Sequence, residues 1–86
     1  MKLNIKLLKK LSETPGISGF EKAVRDLIIS EIKPLVDEIS IDNLGNLTAF
    51  RKGKNKKKLM LAAHMDEIGF MVKHIDEQGF IRFLPI

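Results

Sequence analysis

The 86-residue sequence has no cysteine, which excludes a disulfide framework and any thiolate metal site. Tryptophan and tyrosine are also missing, so five phenylalanines are the only aromatic side chains. No apolar run approaches the ~18 residues that a membrane span needs. The opening Met1-Lys2-Leu3-Asn4-Ile5-Lys6 threads charges through its apolar positions and has no continuous apolar core of a signal peptide. These absences predict a soluble, cytoplasmic protein with no membrane partner. What remains is ordinary: 44% hydrophobic and 30% charged residues, far from a disordered acidic tail. A chain this short buries only ~60% of its unfolded surface and is marginal without staples. It is expected either to be very regular or to lean on other polypeptide for part of its core.

The net charge of +4 comes from fifteen Lys+Arg against eleven Asp+Glu, but it is not spread evenly. Six of the cations fall in Arg51-Lys52-Gly53-Lys54-Asn55-Lys56-Lys57-Lys58, and without them the balance is nine against eleven. Nucleic-acid binding couples charge to aromatics on a sheet or to a recognition helix. Neither accompanies this run, so it reads as a solvated hairpin tip, and no nucleic-acid partner is expected.

Along the chain, Leu3, Leu7, Leu8 and Leu11 form one apolar stripe and predict a helix over 3–12, stopped ahead of Pro15. A second helix is expected to open near Ser18–Phe20, where Ser18 and Glu21 match a capping box, and to end near Pro34. The period then falls to two. Val36, Ile39 and Ile41 mark a strand, Asp42-Asn43-Leu44-Gly45-Asn46 a turn and Leu47–Phe50 a returning strand. Lys58-Leu59-Met60-Leu61-Ala62-Ala63-His64 fits a central strand covered on both faces. Phe70–Ile75, the turn Asp76–Gly79 and Phe80–Pro85 complete the pattern. The expected fold is α/β, two helices followed by about five strands in a mixed, largely antiparallel sheet. Arg82–Ile86 ends within an apolar strand, which is expected to be an interruption and not a domain boundary.

Chemistry concentrates at Ala62-Ala63-His64-Met65-Asp66-Glu67-Ile68-Gly69. A strand that runs out of a core delivers its last side chains to a crevice. His64 and Asp66 are two apart, so on an extended backbone they point the same way. A metal-ligating imidazole commonly passes its second N–H to a carboxylate, and Asp66 is placed to accept it. The residues alone also fit a strand-end cap or a solvated turn. His74, beside Asp76-Glu77, reads as a hairpin histidine, so these residues cannot close a metal site unaided. Thr14-Pro15-Gly16-Ile17-Ser18-Gly19-Phe20-Glu21 reads as a rigid helix–helix connector and lacks the strand that a dinucleotide loop requires.

Taken in order, this connector, Asp42-Asn43-Leu44-Gly45-Asn46-Leu47, Ala63-His64-Met65-Asp66-Glu67-Ile68-Gly69-Phe70-Met71-Val72 and Gly79-Phe80-Ile81-Arg82-Phe83 resemble the N-terminal part of the M42 metallo-aminopeptidases. That family includes the deblocking and glutamyl aminopeptidases and the TET peptidases. The resemblance covers essentially the whole chain. It implies that residues 1–86 are an incomplete N-terminal segment of a catalytic domain of the clan MH type, into which a smaller β-rich dimerisation domain is inserted further along. It implies two divalent metal ions, zinc or cobalt, and hydrolysis of N-terminal residues from peptide substrates by a homo-oligomer, a dodecamer in TET peptidases. His64 maps onto a metal ligand and Asp66 onto the active-site carboxylate that supports it. The remaining ligands and the glutamate general base would lie beyond this chain, so the segment alone is expected to be inactive. Glu67 matches the motif without being that base. Two further readings are a small interaction module that pairs through its last strand and a glycoside hydrolase using paired carboxylates.

Overall fold

A computed structural model describes residues 2–86. The first helix, α1, spans Ile5–Glu13. The Asn4 side chain caps it by accepting the Leu7 N–H at 3.0 Å, and the chain turns extended at Thr14 ahead of Pro15. The second, α2, spans Lys22–Ile32 and passes into a 3-10 turn at Lys33–Leu35, where Pro34 removes a donor. The capping box does not form. Gly19 takes φ +87, the Phe20 N–H closes a turn on the Ile17 carbonyl, and the Glu21 carboxylate accepts the Gly19 N–H at 2.6 Å. The positive-φ glycine thus ends the turn before the helix can begin, and Glu21, not Ser18, stands at the N-cap.

Four strands follow as two separate antiparallel hairpins, not five strands in one sheet. β1 (Glu38–Ile41) pairs with β2 (Leu47–Phe50), Glu38 opposite Phe50. β3 (Phe70–Ile75) pairs with β4 (Ile81–Pro85), Phe70 opposite Pro85, with a register shift between Val72 and His74. The two connections have one construction. In each, an aspartate Oδ1 accepts two backbone N–H groups at 2.9 Å, from Leu44 and Asn46 onto Asp42 and from Gln78 and Phe80 onto Asp76. A glycine three residues after the aspartate, Gly45 or Gly79, takes φ near +86, the left-handed position of a type I turn with a bulge.

The anticipated central strand is the main departure. Lys58–His64 has no ladder partner, and Leu59, Met60 and Leu61 are 89%, 86% and 90% exposed. A strand is defined by its neighbours, and both faces and both edges of this segment are open among the described residues. The basic run is accordingly an exposed link leaving β2 and not a hairpin tip, with the Lys52 N–H held by the Asp37 carboxylate.

The chain is extended, 63 × 32 × 18 Å, with a radius of gyration of 17.5 Å where a compact chain of this length would have about 12 Å. Its accessible surface is 8367 Å², against roughly 5,100 Å² for a compact protein of this mass. Val24 of α2 is the one buried hydrophobic side chain among the described residues. It marks a junction. A Cβ on Gly16 would lie 2.7 Å from Val24 Cγ1, and a Cβ on Gly69 would collide with Cγ2 of Ile17 and lie 2.7 Å from its Cβ. The two glycines let residues 16–17 and 67–69 approach, and Ile17 and Glu67 form an isolated parallel bridge. No helix among the described residues is long and apolar enough to cross a membrane.

Two outcomes follow from this arrangement. Gly69→Ala overpacks the junction against Ile17, so the Glu67 amide is expected to exchange with solvent about tenfold faster or more. An unchanged rate would remove the steric argument. The Asn46 side-chain and backbone N–H groups hold the Asp42 carboxyl below its ordinary value of 3.8. A depressed pKa favours the folded turn at higher pH, and that preference is lost as the pH falls through the depressed value. The Asn46 amide resonance should therefore titrate with a midpoint below 3.8, and a midpoint at or above it would contradict the bonding described.

Candidate metal-ligand site

His64 and Asp66 lie on the extended segment that enters the junction at Glu67. The two-residue spacing brings them together: His64 Nδ1 is 2.8 Å from Asp66 Oδ1 and 3.0 Å from the Asp66 carbonyl oxygen. With the ring neutral, Nδ1–H donates to Asp66 and the Nε2 lone pair is left outward. The imidazole is 84% exposed and the carboxylate 41%, so the pair faces open solvent and not a closed pocket. Beside it runs a shallow groove of about 180 Å³ lined by Glu21, Asn46, Leu47, Ala63, His64 and Asp66, among others. Three parts of the chain converge there: the start of α2, the first hairpin turn and the segment before the junction. Arg25 of α2 ties the second of these in place through a 3.2 Å bond from Nη1 to the Gly45 carbonyl.

Glu67 does not join the pair. Its Oε1 accepts the Gly16 N–H at 3.1 Å, and its own N–H donates to the Gly16 carbonyl at 2.9 Å. Sequence reasoning assigned Glu67 no role and read residues 14–21 as a connector alone. The signal lay in the two glycines, Gly16 and Gly69, which allow that close approach. His74 stands on β3 opposite Arg82, exposed and away from the pair in sequence and hydrogen bonding, as expected of a hairpin histidine.

The donor set fits one position of a divalent-metal site. An exposed imidazole with Nδ1 beside a carboxylate presents Nε2 outward, and zinc, cobalt and related ions accept imidazole nitrogen. No cluster of three or more ligating side chains occurs among the described residues. His64 and Asp66 therefore fit part of such a centre and not the whole.

Residues 45–86 match the family model described as M42 glutamyl aminopeptidase. The lysyl aminopeptidase of Pyrococcus furiosus is 51% identical over 81 residues, 93% of this chain and 23% of that protein. A protein of Acetivibrio thermocellus that also carries an aminopeptidase name is 60% identical over 80 residues, 93% of this chain and 24% of its own length. Among solved structures, an aminopeptidase of Desulfurococcus kamchatkensis superposes with a TM-score of 0.85 at 46% identity, covering 95% of this chain and 23% of that one. A Thermotoga maritima structure named as an endoglucanase superposes at 0.80 with 52% identity, covering 91% and 25%. The TET1 peptidase of Pyrococcus horikoshii, which can assemble into a tetrahedron or a large octahedral shell, gives 0.75 at 41% identity, covering 94% and 24%. The chain spans about a quarter of the length of the curated relatives it matches. Over the stretch that it spans, it is similar to M42 aminopeptidases, and residues 45–86 match their family model.

Proposed function

We propose that this chain supplies the first ligand-bearing segment of a dinuclear-metal aminopeptidase that removes N-terminal residues from peptides. The observation that carries the reading is the His64–Asp66 pair, with Nδ1 engaged at 2.8 Å and Nε2 free. Divalent ions held at such a centre, zinc or cobalt, would lower the pKa of a bound water and polarise the scissile carbonyl. His64 would hold one ion through Nε2. Asp66 keeps the proton on Nδ1 and fixes the ring plane, which favours the ligating tautomer. The other ligands, the proton-accepting carboxylate and the specificity pocket would come from polypeptide outside residues 1–86, as would an inserted dimerisation domain. Kinship with TET peptidases supports a homo-oligomer, such as a dodecamer, for the complete protein.

The endoglucanase name carried by one relative favours a second reading, but the carboxylates here do not support it. Glycoside hydrolysis needs two carboxyl groups ~5–9.5 Å apart across a sugar. Asp66 is engaged by His64 and Glu67 by Gly16, so neighbouring acids are committed to different partners.

The purified chain should release no amino acid from chromogenic aminoacyl substrates, and release would overturn the claim that it lacks essential groups. In calorimetry it should bind zinc weakly, with that binding lost in His64→Ala and tightened when the remaining polypeptide of a family member is supplied. Zinc binding indifferent to His64 would refute the ligand assignment. An interaction module pairing through β4 would bind a partner with no metal dependence.

A further inference from the structure

Glu67 sits beside the candidate ligand pair and touches neither side chain, yet the geometry links it to both. No backbone group of Lys58–Met65 is hydrogen-bonded to another segment among the described residues. The first such anchorage after the basic run is at Glu67, which grips Gly16 from two sides: the Glu67 N–H donates to the Gly16 carbonyl at 2.9 Å, and Oε1 accepts the Gly16 N–H at 3.1 Å. The carboxylate closes a ring with the backbone bond, so both polar groups of Gly16 are used by one residue.

The consequence runs through a single peptide plane. The N–H of Glu67 and the carbonyl of Asp66 belong to the same peptide unit, which is planar and trans. Its N–H points at Gly16, so its carbonyl points the opposite way. That carbonyl is 3.0 Å from His64 Nδ1. The imidazole is therefore held by two oxygens of Asp66, one on the side chain and one on the backbone, and the backbone oxygen is aimed by the Gly16 contact. A solvent-exposed His–Asp bond alone is weak and would let the ring turn. Fixing the peptide removes that freedom from one of the two acceptors.

We propose that Glu67 is a positioning residue for His64: its carboxylate locks the Asp66–Glu67 peptide against Gly16 and thereby holds the protonation of His64 at Nδ1 and the lone pair at Nε2. This rests on the reading of His64 as a ligand, but the tautomer and metal affinity are separate measurements. The Gly16 loop gains a role as well, since it is the surface against which the ligand segment is set. The glycine at position 16 serves twice, by admitting Val24 and by presenting an unshielded N–H and carbonyl to Glu67.

The test uses the 86-residue chain labelled with 15N, at a pH where His64 is neutral. Long-range 1H–15N correlation distinguishes Nδ1–H from Nε2–H. The unmodified chain should show Nδ1–H. Glu67→Ala should shift the balance toward Nε2–H and speed exchange of the Gly16 amide about tenfold, the worth of one lost hydrogen bond. Glu67→Gln keeps an acceptor oxygen at the same reach and should restore both readouts, which a general loss of structure would not allow. Should Glu67→Ala lose its helical circular dichroism, a backbone ester at Gly16 removes the donor N–H with every side chain intact, and it should shift His64 in the same sense. The proposal is overturned if the Gly16 amide is freed and the His64 tautomer stays unchanged, or if Gln behaves as Ala. Weak zinc binding indifferent to His64, with the tautomer response intact, would instead fell the ligand reading and leave the positioning role standing.

Discussion

Close backbone approach at Gly16 and Gly69 is the constraint on which the remaining structure depends. Helix α2 reaches the second half of the chain there because Val24 can rest on a residue with no Cβ, and Ile17 can rest on another. The bridge from Ile17 to Glu67 and the paired bonds between Gly16 and Glu67 then join parts of the chain about fifty residues apart. Nothing else among the described residues buries a hydrophobic side chain to the extent of Val24. Most long-range order elsewhere is pairing within a hairpin, which is local in sequence and marginal in water when a hairpin stands alone.

Local signals were legible in the sequence. Pro15 marks the end of α1 because it disfavours helix in its predecessor, whereas the Asn4 cap, which starts the helix at Ile5 and not at Leu3, went unread. Aspartate and glycine set both hairpin turns by the same chemistry, and β3 spans the residues expected of it. The His64–Asp66 contact was also legible, since a two-residue spacing on extended backbone is a statement about direction. Ser18 misled because the capping box ignores a glycine between its members, and Gly19 at φ +87 turns the backbone away from helix at that point. Leu59–Leu61 misled in a different way. An apolar run records what a segment can bury, whereas a strand also requires neighbours to supply its hydrogen bonds.

The exposed segments have a common character. Leu59, Met60 and Leu61 lie open, as do Phe70, Phe83 and Leu84 on the second hairpin, where Phe70 and Phe83 pack edge to face at 4.8 Å. Apolar surface on this scale is unusual in a protein that acts by itself, and it accords with relatives four times as long. Among the described residues these apolar faces are formed and left uncovered.

The candidate site follows the same division. His64 and Asp66 meet within three residues, so their geometry needs no distant core. Precision is harder to obtain, because an imidazole in water gains little from a single carboxylate and rotates readily. A ligand must be held within about half an ångström to meet others supplied from elsewhere. Under the ligand role proposed for His64, that precision would come where its segment is tied to something with helical support, and Glu67 is the first residue after the open run to make such a tie. The clamp on Gly16 carries rigidity from α2 through Val24 to one peptide unit, and that unit presents its carbonyl to the imidazole. In the proposed arrangement two adjacent acids act in series, Asp66 accepting from the ring at 2.8 Å and Glu67 orienting the Asp66 carbonyl through Gly16.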